Sequence, residues 1–139
     1  MNDFILFLHF AGLMIGAAGG LASGVLMRKA LTMPVDEAKI IRAQGPLLAM
    51  VAAIGVALLW VTGLILVWSK WDGLASLPGL FWIKLIFVVA LTALVGMTHM
   101  TYAEIRKGNP AVAARLPKLG PASGVASLLA VLFAVYAFN

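Results

Sequence analysis

The stretch PLLAMVAAIGVALLWVTGLILVWS, residues 46–69, decides the fold. Its 24 residues include no Asp, Glu, Lys or Arg. About 20 apolar residues in a helix are enough to cross the hydrocarbon core of a bilayer. Working outward, three more runs share this character, at 4–27, 80–103 and 120–138. In lipid every backbone polar group must be satisfied within the protein, which leaves helices and closed barrels. None of the four runs alternates apolar with polar residues as barrel strands do, so helices are predicted. The linkers, 28–45, 70–79 and 104–119, leave no room for a second domain, and residues 1–139 read as a single membrane domain. Short linkers make sequential helices antiparallel neighbours. The predicted fold is an all-α integral membrane protein, an antiparallel up-down-up-down four-helix bundle.

The whole composition agrees. Of 139 residues, 63% are hydrophobic and 11% charged, with a mean hydropathy of +1.07. Soluble domains sit nearer half apolar and a quarter charged. A disordered chain, a soluble enzyme and a nucleic-acid module with a basic face are excluded. Cysteine is absent, which removes disulfides, thiolate chemistry and Cys-held zinc or iron–sulfur clusters.

The net charge of +5 is a topology signal. Eight of the ten Lys/Arg residues lie in two linkers: Arg28, Lys29, Lys39 and Arg42 in the first, Arg106, Lys107, Arg115 and Lys118 in the third. By the positive-inside rule both are cytoplasmic and both termini face outward. No nucleic-acid partner is expected; membrane lipid is. Trp68, Trp71 and Trp82 cluster at the outer ends of the second and third spans, as an interfacial belt does. The start of the chain lacks a basic n-region. Its apolar run continues past Ala17-Ala18-Gly19, so a retained helix is expected rather than a cleaved signal. A short surface helix is expected between residues 32 and 45, with Pro34 near its start and Asp36 spaced to pair with Lys39.

Three strongly polar residues stand inside the spans: His9, Lys84 and His99. Such groups are costly in lipid and face a bundle interior or a cavity. Below His9 run Gly12, Gly16, Gly20 and Gly24, one stripe on the first helix. Such a stripe packs helices closely, within a chain or between copies in a homo-oligomer. Alternatively it clears a flat groove under a histidine, which suits a flat ligand such as a porphyrin. Lys84 either snorkels to the headgroups or joins His9, at nearly the same depth, on one metal or anionic group. His99 shares a helix face with Lys84, Thr92 and Tyr102, a polar stripe expected to point inward. His99 lies fifteen residues beyond Lys84, a rise of about 22 Å, so His9 and His99 cannot both ligate one haem in a single subunit. Met97 and Met100 flank His99 and are read as core filling rather than as a copper(I) site. Ser123, Ser127, Ala130, Ala134 and Ala137 form a packing face on the fourth helix. Trp60 and Thr62-Gly63 lie near the depth of His9; Trp60 either stacks on a ligand or fills the core.

These residues resemble a group of small four-helix bacterial membrane proteins. It includes the membrane protoporphyrinogen oxidases that bind haem b and the copper-resistance D-type proteins. The resemblance is carried by Leu8-His9, by Leu59-Trp60-Val61-Thr62-Gly63-Leu64, by Trp82-Ile83-Lys84-Leu85 and by Gly120-Pro121-Ala122-Ser123. It implies a bacterial inner-membrane protein with periplasmic termini. It also implies a haem-b site on His9 and Lys84, with haem iron as the metal. The oxidases carry an arginine late in the first helix and Asn-Glu before the proline of the fourth. Here the glycine stripe and then Arg28 occupy the first place, and Leu119-Gly120 the second. The chain therefore looks like a relative of the oxidases rather than the oxidase itself.

The first functional expectation is a haem-b protein in electron transfer or porphyrin oxidation, an oxidoreductase with a porphyrin or quinone-type redox partner. His9 would be an axial ligand and Lys84 a second ligand or a propionate partner. Gly12 and Gly16 would make room for the macrocycle, with Trp60 beside it. The second expectation is a non-catalytic accessory or assembly subunit docking through Gly12, Gly16, Gly20 and Gly24. The third is a copper or small-solute transporter, disfavoured because no span holds an acidic residue or a mid-span proline break.

Overall fold

A computed structural model describes residues 2–138. Five α-helices account for most of them: α1 (Asn2–Ala30), α2 (Val35–Ala43), α3 (Gly45–Lys70), α4 (Gly79–Arg106) and α5 (Leu116–Phe138). Short 3-10 turns precede α4 and α5, at Leu74–Ser76 and Pro110–Arg115. No strand occurs among the described residues. Four of the helical stretches are long and apolar enough to cross a membrane. The expected surface helix is α2, entered from Pro34. Asp36 and Lys39 form no ion pair on it. At an exposed site such a pair gains little against the entropy of fixing two long side chains.

The last helix begins at Leu116, four residues before the predicted 120. Pro117 falls in the first turn of the helix, where the N–H groups have no internal partner and proline is tolerated. Pro121 lies further in, and its ring is received by Gly24. A methyl group on Gly24 would come 2.8 Å from Pro121 Cδ.

Small residues bring the helices together. Gly12, Gly16 and Gly19 of α1 lie against Gly55, Leu58, Ala52 and Leu48 of α3. Gly20 and Gly24 lie instead against Ser123, Pro121 and Gly120 of α5. Residues four apart advance about 40° around a helix. Over Gly12 to Gly24 the stripe therefore turns about 120°, from α3 to α5. One core cluster joins Ala52, Val56, Leu91, Val95 and Ala126, with Trp60 packed on it. Ser123, Ser127 and Ala130 are buried, as the predicted packing face of the last helix requires.

At one end Met27, Ala49, Tyr102 and Leu116 meet, which gathers the ends of α1, α3, α4 and α5 beside both basic linkers. At the other end Val67, Leu77 and Phe81 pack together with Trp71. Trp68 and Trp82 are exposed at that same end. The outward surface is apolar along the helices, with Met14, Val25, Ile86 and Leu128 among its exposed side chains. Large exposed apolar surface is rare on soluble monomers and is what a lipid-facing wall presents.

Candidate functional site

The site is built at the Trp-rich end of the α1–α3 seam. Thr62 lies on α3 and is buried. Its hydroxyl donates to the Leu58 carbonyl at 2.6 Å, a back-bond to its own helix. That spends the hydroxyl proton and leaves the oxygen as an acceptor. His9 Nδ1 stands 2.8 Å from that oxygen and so is the donor. The tautomer follows: the proton is on Nδ1, and Nε2 carries the lone pair. Gly63, next to Thr62, makes the close approach possible. A methyl group there would meet His9 Cε1 at 3.3 Å. The glycine stripe thus ends above Gly12 in a histidine held against Thr62 and Gly63 of α3.

Lys84 is half-buried on α4, with Nζ 5.3 Å from the centre of the Phe81 ring. His9 of the sequence reading stands against Thr62 of α3, and Lys84 stands on α4 beside Phe81. Thr62 is the hydrogen-bonding partner that the reading missed, having placed it only at a similar depth. A hydroxyl in an otherwise apolar span is the signal, but only the register between α1 and α3 pairs it with a histidine.

The other predicted residues lie elsewhere. Gly12 and Gly16 face Gly55 rather than an open groove. A methyl group on Gly12 would come 3.1 Å from Gly55 O and from Leu58 Cβ. The clearance these glycines provide is filled by α3. Trp60 packs on the core and donates Nε1–H to Thr92 Oγ1 at 2.9 Å, joining α3 to α4. His99 is at the opposite end, donating Nε2–H to the Ala49 carbonyl at 3.1 Å. His9 meets α3 at Thr62 and His99 meets it at Ala49. Thirteen residues apart on one helix is about 20 Å, so the two histidines serve different places.

Three expectations are corrected. The polar face of α4 turns toward α3 rather than to the bundle axis. Thr92 and His99 bond to α3 yet stay exposed, and only Tyr102 is buried. Met97 and Met100 are not core, being 47% and 69% exposed. They lie off the sector of α4 that carries Leu91, Val95 and Tyr102. Glu104, at the edge of the third span and expected from the sequence to lie near Arg115 or Lys118, instead meets Lys107 at 3.5 Å, one helical turn away. Among the described residues no group of three or more His, Cys, Asp or Glu side chains gathers as a metal site would.

Comparison with protein-family models, curated proteins and solved structures finds no match for this chain.

Proposed function

We propose that this is a haem-b-binding protein of the bacterial inner membrane, working in electron transfer or porphyrin oxidation. Its four long helices would cross the membrane up-down-up-down, with both termini periplasmic. The observation that carries the proposal is the His9–Thr62 hydrogen bond. A ligating histidine ordinarily gives its second N–H to an oxygen, which fixes the ring and its tautomer. Thr62 fills that role, and the lone pair of Nε2 is the one an iron would take. Lys84, on α4, would be the second ligand or the cation for a propionate. Bound haem would supply one-electron chemistry, tuned by its ligands and the apolar shell. The reading rests on His9, Thr62 and Lys84; Gly12, Gly16 and Trp60 already have partners in the fold.

The accessory-subunit and homo-oligomer alternatives depended on a free glycine stripe. That stripe is covered by α3 and α5 of the same chain, which favours the cofactor reading. The test is an absorption spectrum. Protein from haem-replete cells should show a Soret band that His9→Ala abolishes. Thr62→Val should keep the band but weaken haem retention about 10–100-fold. A colourless wild-type protein overturns the proposal.

A further inference from the structure

At the basic end, α3 and α4 diverge around an open groove of about 310 Å³. Its walls are Pro46, Leu47 and Met50 of α3 and His99, Tyr102 and Arg106 of α4. The volume is at the lower end for small-molecule sites, about 300–1,000 Å³. Leu47 and Met50 are exposed, so the groove opens sideways onto the same apolar surface that the helices present elsewhere. It does not open into the bundle.

The chemistry of the walls narrows the occupant. Arg106 lies in the last turn of α4 and is exposed. Among the described residues no carboxylate pairs with it, and the nearest acid in sequence, Glu104, is engaged by Lys107. One end of the groove therefore offers a cation without a counter-charge. His99 uses its Nε2–H on the Ala49 carbonyl, which ties α4 to α3. The Tyr102 hydroxyl is turned away against Gly45, where a methyl group would collide with it. Arg106 is the one Lys or Arg side chain on a groove wall that also carries Pro46, Leu47 and Met50. A cationic amphiphile would be repelled.

We infer that this groove is a binding site for an anionic phospholipid, with the headgroup phosphate on Arg106 and an acyl chain along Leu47 and Met50. The dimensions agree. His99 and Arg106 are seven residues apart, about 10 Å along the helix, so the cation stands at the rim and the apolar wall lies deeper. The guanidinium fork matches two phosphate oxygens at once. The inference rests on the membrane reading above and not on haem.

The test is lipid retention by the full chain, purified from the membrane fraction and measured by native mass spectrometry. Phosphatidylglycerol and phosphatidylcholine of the same acyl chains would be compared. Wild type should retain phosphatidylglycerol over phosphatidylcholine by about fivefold, the ratio for one well-placed cation near an anionic headgroup. Arg106→Gln should reduce that ratio to near one, and Met50→Trp should lower retention of both lipids by filling the trough. Lys107→Gln, a neighbouring basic residue outside the groove, should leave the ratio unchanged. An equal loss with Lys107→Gln means general surface charge and overturns the site. So does a wild type without preference, or inorganic phosphate displacing the lipid at millimolar concentration. A chain absent from the membrane fraction fails the membrane reading itself, whereas each of these outcomes leaves that reading standing.

Discussion

The two seams of α3 are built in opposite ways. Against α1 it presents Gly55 and Ala52 to Gly12, Gly16 and Gly19, and the two backbones nearly touch. Against α4 it presents Trp60 and the Ala49 carbonyl to Thr92 and His99, and hydrogen bonds from the long side chains of Trp60 and His99 add to the apolar cluster of Ala52, Val56, Leu91 and Val95. Lipid tails are as apolar as leucine, so helices in a membrane gain little from hydrophobic burial. They associate by close van der Waals packing or by interhelical hydrogen bonds. The α1–α3 seam takes the first route and leaves no space for a ligand. The α3–α4 seam adds the second, and large side chains hold the helices far enough apart to leave the groove beside Arg106. His9 marks the place where the tight seam ends and the first polar contact begins.

The comparison is broken most severely by Gly55→Leu. Any side chain at residue 55 runs into the Gly16 backbone, which cannot shift without separating the helices. Overpacking of this kind costs about 3 kcal/mol or more. The variant should fail to fold or unfold far below wild type in a detergent melt. Alanine sharpens the point. Gly55→Ala should already be clearly destabilising, whereas Gly16→Ala, directly opposite, should be nearly neutral. A methyl group on Gly16 would sit 3.6 Å from the Gly55 backbone, an ordinary contact. Equal effects at the two sites would contradict the asymmetry of the tight seam.

The polar seam should respond more gently. Trp60→Phe keeps most of the packing on Val56 and Leu91 but removes the 2.9 Å bond to Thr92. Side-chain hydrogen bonds between membrane helices average about 0.6 kcal/mol, with a maximum near 1.7. The expected loss is about 1 kcal/mol, and Thr92→Val should match it. Because the two changes delete one bond, the double variant should cost no more than either alone. An additive double variant would mean that Trp60 and Thr92 act independently.

These seams also separate what could be read in the sequence from what could not. The spans were legible because hydropathy and length are local properties of one stretch, as in residues 46–69. The glycine stripe was legible as a packing surface, since periodicity shows it. Its partners were not, because the drift of the stripe from α3 to α5 depends on where the neighbouring helices stand. His9 and Lys84 stood out as polar exceptions in apolar runs. Thr62 did not, because threonine is common in such helices and only the register of α1 on α3 makes it the acceptor. The groove was invisible for the same reason. Pro46, Leu47 and Met50 are ordinary residues on one helix, and their meaning comes from Arg106 and His99 on another. The outward turn of Met97 and Met100 shows the limit of composition: in lipid an apolar side chain does not have to point inward.

The smallest expected effect tests whether the outward side of α4 is free. Gly96 lies on α4, and a methyl group there would meet nothing within 4 Å. Glycine in a helix interior is worse than alanine by about 0.5–1 kcal/mol, chiefly through backbone entropy. Gly96→Ala should therefore raise resistance to unfolding by up to about that amount, the opposite sign to Gly55→Ala. The same atom is added to the same kind of helix in both cases, so the difference in sign isolates the packing. A loss of stability at Gly96 would have a direct meaning. Some surface outside this chain would have to rest on α4 there, as it would if a second copy docked on the side away from the glycine stripe. Measuring both variants at several detergent-to-protein ratios separates the two cases. A packing partner makes the Gly96→Ala effect depend on dilution, and an uncovered glycine does not.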